Sequence, residues 1–440
     1  MPGDFASGWL MTSEKARMVP NIAGTLGAGA GTRGRFPLSG RRVTFQLRAD
    51  SRRRVAQQQI HTPLYIETPD AADRFLATLG AVRAVAVDTE GASFHRFVDR
   101  IYLLQLSTAA VSAVLDPLSI SAPAALGALL EDPGVEVVFH DADYDLRLLH
   151  QDYGWHVTNI FDTRIAAQLA GLRTFGLAAL LERYFDIKLD KRHQRADWSM
   201  RPLTRDMLSY ASQDTQYLLP LRDRLREELA RLGREEWAKE EFSRLEGTRW
   251  ADDSVDGNGY LRTKGARDLS RRELAIFREL SEWRDRVAAE LDRATFRVAS
   301  SEALFAVARR APPSLEELAA VKGMPRGIVE RRGGEVLEAV RRGLAVSDDQ
   351  LPRVPRAPKW ARDADYESRV TRLRRVRDAA AQRLDLDPGF LCSRDRLEAV
   401  ARRNPRSLEE LAEIPELRRW QVEVLGEEFL MAVRGVGNGE

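Results

Sequence analysis

A long internal repeat is the feature that most restricts how this 440-residue chain can fold. The pentapeptide Ser-Leu-Glu-Glu-Leu begins at Ser314 and again at Ser407, 93 positions later. Ala-Val-Ala-Arg-Arg begins at Ala306 and again at Ala399, at the same offset of 93. One ungapped shift that relates several separate motifs indicates two copies of one folded unit. Both copies read as helices throughout, so the sequence predicts two all-α helical bundles in its C-terminal part.

Composition and periodicity divide the chain into five segments. Residues 1–60 are rich in Gly, Arg and Ser and lack periodicity, which predicts a disordered N-terminal tail. Residues 62–235 alternate between short apolar runs and helical stretches, which predicts an α/β domain with a mixed sheet flanked by helices. The repeat copies place the helical bundles at 268–345 and 366–436. The Pro/Arg-rich segment between them, 346–365, predicts an extended linker.

Composition also excludes several classes of protein. No stretch approaches the roughly 18–20 apolar residues that a membrane helix needs, and the N-terminus lacks the apolar region of a secretory signal. The single cysteine, Cys392, cannot form an internal disulfide, which predicts a cytoplasmic protein. Arginine supplies 61 of the 68 basic residues, which fits either a GC-rich coding bias or a role in phosphate binding. No Walker-type glycine-rich motif occurs, so no nucleotide cofactor is expected.

Acidic side chains that are candidates for a functional site occur at three places in the α/β segment. Asp88 and Glu90 end an apolar strand candidate, in which residues i and i+2 point to the same side. Asp145 lies one turn into a helix that follows a buried strand, and Tyr210 and Asp214 share one helix face at i and i+4. Each acid alone is most simply a solvated side chain, but together they can form one cluster of four carboxylates. Such a cluster requires cations, and all-oxygen ligands select hard ions such as Mg²⁺ or Mn²⁺.

Three polar residues that lie close to Asp145 in the sequence are not expected to bind a metal ion. Asp141 is the better candidate for the N-cap of this helix, because a short carboxylate accepts hydrogen bonds from the first backbone N–H groups. Asp143 is expected to face solvent. His140 is not expected to bind zinc, because the six histidines have no His-x3-His spacing.

The order of the motifs resembles the DEDD exonuclease superfamily in its tyrosine-bearing branch, and in particular the ribonuclease D family. The resemblance extends beyond the acids to Leu103-Leu104-Gln105-Leu106-Ser107, Asp116-Pro117-Leu118, Asp162-Thr163, Leu189-Asp190-Lys191, Asp197-Trp198 and Arg201-Pro202-Leu203. The two helical repeats resemble HRDC modules. The resemblance therefore implies an RNase H-like exonuclease domain followed by two HRDC bundles.

The resemblance also implies a reaction and a set of site residues. Asp88, Glu90, Asp145 and Asp214 would hold two divalent ions, Mg²⁺ or Mn²⁺, and Asp88 would bridge both. Tyr210 would position the attacking water. The enzyme would act as a monomer on single-stranded RNA 3′ ends, as in a tRNA precursor, and would release nucleoside 5′-monophosphates. It would need no membrane.

Gly91 departs from the family pattern, which has a bulky residue after the glutamate. Phe94 or His95 is therefore a candidate to stack the terminal base, and a loop-packing role is an equal alternative. The basic loop 191–198 mixes cations with Trp198, which we expect to be structural. The candidates for contact with nucleic acid are Phe94, His95, Gln105, Lys191, Gln194 and Arg195.

Two alternatives to an exoribonuclease remain open on the sequence alone. A DNA 3′→5′ exonuclease of the same superfamily shares both parts of the resemblance, and the sequence does not reveal contacts to a 2′-hydroxyl. A non-catalytic RNA-binding scaffold would retain the fold. The intact acids Asp88, Glu90, Asp145 and Asp214 weigh against the scaffold.

Overall fold

The computed structural model describes residues 63–80, 82–121, 123–190, 192–251, 258–354 and 365–435. The predicted tail at 1–60 lies outside the described residues, and so do residues 355–364 of the predicted linker. Among the helices of the described part, none is both long enough and apolar enough to cross a bilayer.

Six strands form a single sheet in the N-terminal part. The strands are β1 (Leu64–Ile66), β2 (Ala84–Glu90), β3 (Leu103–Ser107), β4 (Ser112–Leu115), β5 (Glu136–Phe139) and β6 (Ile160–Asp162). They lie in the order β1-β4-β3-β2-β5-β6. Strand β3 is antiparallel to both β2 and β4, and the remaining pairs are parallel. This arrangement confirms the predicted mixed sheet.

Helices cover both faces of the sheet. They are α1 (Pro69–Ala77), α2 (Pro117–Ile120), α3 (Ala124–Leu130), α4 (Asp143–Tyr153), α5 (Thr163–Leu169), α6 (Leu177–Phe185), α7 (Arg205–Gln216), α8 (Leu218–Leu232) and α9 (Glu235–Leu245). Along β2, Val85 and Val87 pack into one apolar layer and Ala86 packs into the other, as the two-residue period of a strand requires. Asp88 and Glu90 therefore project from the same face of the sheet as Ala86.

The C-terminal part consists of helices. They are α10 (Gly259–Arg262), a 3₁₀ turn (Ala266–Asp268), α11 (Arg271–Glu290), α12 (Thr295–Val298), α13 (Ser301–Arg310), α14 (Leu315–Ala319), α15 (Arg326–Ala345), α16 (Tyr366–Leu384), α17 (Pro388–Leu391), α18 (Arg394–Arg403), α19 (Leu408–Ala412) and α20 (Arg419–Arg434). Helices α17 to α20 each begin 93 positions after α12 to α15, so the sequence repeat is also a structural repeat.

Equivalent packing contacts recur in the two helical bundles. A Cβ atom at Gly333 would lie 2.6 Å from Leu315, and one at Gly426 would lie 2.6 Å from Leu408. The glycine in each copy allows the long helix to pack closely on the leucine of the short helix. A repeated glycine-leucine contact indicates that both copies fold in the same way.

The second helical bundle packs against α9 of the N-terminal part. The Trp237 and Trp420 rings stack with their centroids 4.9 Å apart. Glu240 accepts hydrogen bonds from the backbone N–H groups of Arg419 and Trp420, at the start of α20. Glu241 accepts a 2.9 Å hydrogen bond from the Trp420 indole. Carboxylates at a helix N-terminus satisfy free N–H groups and complement the helix dipole, so this contact fixes the orientation of the bundle.

Candidate active site

Three carboxylates meet where β2 ends. Asp88 and Glu90 lie in the last three residues of β2. Asp214 lies in α7, which packs over β2, β3 and β4. Ligand oxygens of the three side chains lie within 4.8 Å of one another. All three residues are half-buried, so they remain accessible from one side. The structure thus brings together three of the four acids that the sequence singled out.

Contacts near both ends of α7 fix the rotation of this helix about its axis. Thr204 caps its start by accepting a 3.2 Å hydrogen bond from the backbone N–H of Met207. Near its other end, the buried hydroxyls of Thr215 and Ser107 lie 2.7 Å apart, which joins the helix to β3. Since Tyr210 lies one turn before Asp214, the same rotation directs both side chains toward the strand acids.

Asp145 lies beside the three-acid cluster and is fixed by β2. Its Oδ1 accepts a 2.9 Å hydrogen bond from the backbone N–H of Thr89 and a 2.6 Å bond from the Thr89 hydroxyl. The residue is almost fully buried in the first turn of α4. Thr89 thus lies between Asp88 and Glu90 in the strand and orients Asp145 on the helix. The sequence motifs did not indicate this positioning role.

Burial and mutual repulsion raise the pKa values of these acids. Desolvation is the larger cause for Asp88, Glu90 and Asp145, and repulsion by neighbouring carboxylates adds to it. Burial raises the pKa of Asp214 to about 7. Among the described residues, no arginine or lysine is a main cause of these shifts.

This donor set fits a divalent cation. Neighbouring carboxylates with raised pKa values need a positive charge to remain ionised at neutral pH. Oxygen donors alone, without Cys or His, suit hard ions such as Mg²⁺ and Mn²⁺. Asp88, Glu90 and Asp214 are the residues placed to share such an ion, and Asp145 is a further carboxylate that interacts with Asp88 and Glu90.

Tyr210 borders the cluster as a neutral phenol. Burial raises its pKa above the usual value near 10, and repulsion from Asp214, Glu90 and Asp88 raises it further. Its ring contacts His193 and Trp198, with centroids 5.9 Å and 6.0 Å away. A phenol with a raised pKa stays protonated at neutral pH. Tyr210 is therefore suited to donate a hydrogen bond and not to act as a base.

A partly buried ion pair holds the loop that carries Trp198. The Arg201 guanidinium donates hydrogen bonds of 2.6 Å and 2.7 Å to the two oxygens of Asp116, which is fully buried. Arg201 also donates to the carbonyls of Trp198 and Tyr102. Asp116 and Arg201 belong to separate motifs of the resemblance, and their pairing joins those two motifs in the fold. Trp198 is buried, which confirms its structural interpretation.

The neighbours of Asp145 only partly follow the sequence predictions. The N-cap of α4 is Ala142, and Asp141 has a positive φ of 70° and pairs with Arg164. The prediction that Asp141 caps this helix is therefore wrong, because the chain turns one residue later than the motif suggests. Asp143 is exposed, as predicted, and it pairs with Arg147. Burial lowers the pKa of His140 to about 4.

Gln105 lies opposite Asp88 in the register of β2 and β3, beneath α7. It is 0% exposed, and neither polar atom of its amide has a hydrogen-bond partner among the described residues. Direct nucleic-acid contact at Gln105 stays a prediction, and its burial means that the side chain would have to become accessible first. Lys191 lies outside the described residues.

The other candidates for nucleic-acid contact lie on accessible loops beside the acids. Phe94 is 48% exposed, and His95 is half-buried. Gln194 and Arg195 are exposed, and the Arg195 guanidinium lies 5.5 Å from the centre of the Phe94 ring. Their roles remain predictions.

Gly91 leaves room for a side chain from α4. A Cβ atom at position 91 would lie 2.1 Å from the hydroxyl of Tyr144, which donates a 2.8 Å hydrogen bond to Asp99. The Tyr144 ring is 39% exposed. An aromatic residue from the helix thus occupies the space next to Glu90 that a larger residue at position 91 would fill.

Protein-family models match most of the described residues. A family model described as a 3′-5′ exonuclease matches residues 63–230, and a model described as an HRDC domain matches 273–340 and 367–433. Ribonuclease D of Gluconacetobacter diazotrophicus is 30% identical over 371 residues, which is 84% of this chain and 92% of that protein. Ribonuclease D of Escherichia coli K12 is 32% identical over 289 residues, which is 66% of this chain and 76% of that protein.

Solved structures support the same relationship. The crystal structure of Escherichia coli RNase D, described as an exoribonuclease involved in structured RNA processing, matches with a TM-score of 0.67 and 26% identity, over 86% of this chain and 100% of that one. A protein from Bifidobacterium adolescentis matches with a TM-score of 0.73 and 27% identity, over 86% and 98% of the two chains. These matches confirm the predicted exonuclease fold followed by two HRDC domains. The chain belongs to the ribonuclease D family and is a metal-dependent 3′→5′ exoribonuclease.

Proposed function

We propose that this enzyme trims the 3′ ends of single-stranded RNA, as in a tRNA precursor, with two divalent ions at its acidic site. Asp88, Glu90, Asp145 and Asp214 would hold these ions, Mg²⁺ or Mn²⁺. The observation that carries the proposal is the convergence of Asp88, Glu90 and Asp214 to within 4.8 Å. The convergence also weighs against a non-catalytic scaffold, because repulsion between carboxylates lowers stability when no cation binds.

The reaction is hydrolysis of the last phosphodiester bond. A water oxygen attacks the terminal phosphorus and loses a proton, and the bond from phosphorus to the 3′-oxygen of the penultimate nucleotide breaks. That 3′-oxygen takes up a proton, and the products are a nucleoside 5′-monophosphate and an RNA shortened by one residue. Bound divalent ions would lower the pKa of water and stabilise negative charge on the phosphate oxygens.

The protein's own groups would orient the reactants. Thr89 holds Asp145 with two hydrogen bonds, so this acid needs no rearrangement when a cation binds. The neutral Tyr210 hydroxyl would donate a hydrogen bond that positions water or a phosphate oxygen. Phe94, His95, Gln194 and Arg195 would contact the RNA at the entrance, since aromatic faces stack on bases and arginine pairs with phosphates.

The remaining features of the proposal come from the sequence. We propose an exonuclease domain at 62–235 and HRDC domains at 268–345 and 366–436. A cytoplasmic location is supported by the single cysteine, Cys392, which is free and buried. A monomeric state remains a prediction.

The proposal is tested with matched RNA and DNA octanucleotides labelled at the 3′-terminal nucleotide. With Mg²⁺ or Mn²⁺, we expect the label to leave RNA as a nucleoside 5′-monophosphate, and we expect EDTA to stop the release. Faster digestion of DNA than of RNA would favour the DNA exonuclease. Release of the label in longer fragments would contradict an exonuclease altogether.

A pair of variants shows whether the acids carry the activity. Asp88→Asn should abolish release, because it removes a charged oxygen donor from the cluster. Asp143→Asn is the matched control, since this exposed acid lies on α4 and pairs only with Arg147 in the described residues. Full activity in Asp88→Asn would revive the scaffold interpretation of this site.

A further inference from the structure

Two exposed aromatic rings meet where the exonuclease domain contacts the first HRDC domain. Phe94 follows the acidic strand and is 48% exposed, and Phe296 lies in α12 and is 50% exposed. Their ring centroids are 5.8 Å apart at an interplanar angle of 77°, an edge-to-face arrangement. Half-exposed phenylalanines in contact across two domains do not bury enough surface to explain their position by core packing alone.

Arginines outnumber acids around this aromatic pair. Arg195 lies 5.5 Å from the Phe94 ring centre, and an open groove beside the pair is lined by Arg96, Arg293 and Arg297 and by two acids, Asp197 and Asp292. The groove has a volume of about 570 Å³. Aromatic faces interleaved with arginines are the combination that binds single-stranded nucleic acid without sequence preference.

Hydrogen bonds across the domain boundary hold the pair in place. Arg297 donates to the carbonyl of Phe94, and the carbonyl of His95 accepts a 3.3 Å hydrogen bond from the backbone N–H of Ala294. Asp292 pairs with Arg96 at 3.1 Å and also accepts from the backbone N–H of Phe97. The two rings are therefore parts of one preorganised surface, even though they come from different domains.

The surface is continuous with the active site. Phe94 is four residues from Glu90, so its Cα lies at most about 14 Å away along the chain. On the other side, the His193 ring contacts Tyr210, and Arg195 follows two residues later. This upper limit corresponds to about four stacked base steps of 3.4 Å. The rings thus lie close enough to contact one or more of the last four nucleotides of a strand whose 3′ end is at the acids.

We propose that Phe94 and Phe296 form a composite stacking site for the third and fourth nucleotides from the RNA 3′ end, with Arg195 and Arg297 contacting the adjacent phosphates. The inference rests on the proposed function, because it needs a 3′ end at the acidic cluster. It assigns the first HRDC domain a direct contact with substrate close to the cleaved bond. The sequence motifs did not indicate Phe296, because nothing in its local pattern shows that it meets Phe94.

The test compares substrates that do and do not reach the composite site. The kcat/KM for an RNA octanucleotide is divided by that for a dinucleotide of the same terminal sequence. In Phe296→Ala this ratio should fall about tenfold, the order expected for loss of one base-aromatic stack. Phe296→Trp should keep the ratio near that of the unaltered chain, because the larger ring still stacks.

Leu344→Ala is the matched control. Leu344 is an exposed apolar residue of the same HRDC domain, 46% exposed, and its carbonyl contacts Arg272 at the start of α11. The groove lies at the other end of α11, about 30 Å away for a helix of 20 residues. The ratio should not change in this variant.

An unchanged ratio in Phe296→Ala would overturn the inference, and so would an equal fall in Leu344→Ala. If the unaltered chain cleaves neither substrate, the proposed function itself fails. Circular dichroism and thermal unfolding of each variant show whether the fold is intact, which we expect because Phe296 is half-exposed.

Discussion

Replacing Asp214 by Asn should stabilise the metal-free protein, because burial disfavours the charge of Asp214 and that charge repels Asp88 and Glu90. The Asp214 carboxylate lies within 4.8 Å of the oxygens of Asp88 and Glu90. Two unit charges at this distance repel by about 3 kcal/mol at an effective dielectric constant of 20. The variant removes Asp214 from both of these interactions while keeping a side chain of nearly the same shape.

The raised pKa of Asp214 sets the size and the pH range of the effect. Its folded value is about 7, against a usual value of 3.8. A carboxyl whose pKa is raised by folding costs stability as the pH rises, and the full cost is reached above the folded pKa. The difference between the two values corresponds to at most about 4 kcal/mol. Since Asp214 is partly exposed, solvent screens the repulsion, and we expect about 2 kcal/mol.

Thermal unfolding in EDTA measures this gain. At pH 8 the midpoint of Asp214→Asn should lie about 4–8 °C above that of the unaltered chain, on the scale of a 150–250-residue domain. The difference should shrink as the pH falls below 7 and should vanish only below the usual pKa of 3.8, where the carboxyl is protonated in both states. Added Mn²⁺ should raise the midpoint of the unaltered chain more than that of the variant. A variant that is less stable at pH 8 in EDTA, or that responds equally to Mn²⁺, would refute the reasoning.

Three further substitutions test separate parts of the structure. Tyr210→Phe should lower kcat at least about tenfold with unchanged Mn²⁺ affinity, because only the orienting hydroxyl is lost; unchanged turnover would remove Tyr210 from the site. Thr89→Val should lower the single-turnover rate about 10–100-fold by releasing Asp145, and Thr89→Ser should restore most of it. Trp420→Ala should lower the free energy of unfolding of the second HRDC domain by about 3–5 kcal/mol in a urea titration; Met431→Ala, at an exposed position of the same helix, should have little effect.

Local periodicity predicted which acids share a face, and the family resemblance implied that they form one site. Asp88 and Glu90 share a face because a strand has a period of two residues, and Tyr210 and Asp214 share one because a helix returns after four. The offset of 93 between repeats likewise reappears in the starting residues of four helices. These features depend on short-range geometry, which the sequence states directly.

Features that depend on long-range register could not be predicted. Gln105 is buried because β3 pairs with β2 opposite Asp88 and α7 then covers it, and no local pattern gives that register. The Asp141 prediction failed because α4 begins one residue later than the motif suggests, and Asp141 pairs instead with Arg164 on the next helix. Phe296 was missed because its neighbour Phe94 lies in another domain.

Counting the bound ions tests the central claim most directly. Titration of the metal-free chain with Mn²⁺, followed by electron paramagnetic resonance of the free ion, gives the number of ions that one chain holds. We predict two ions in the presence of a 3′-terminal mononucleotide product, and a loss of binding in Asp88→Asn but not in Asp143→Asn. A chain that takes up no Mn²⁺, or an Asp88→Asn variant that binds it as well as the unaltered chain does, would contradict the account.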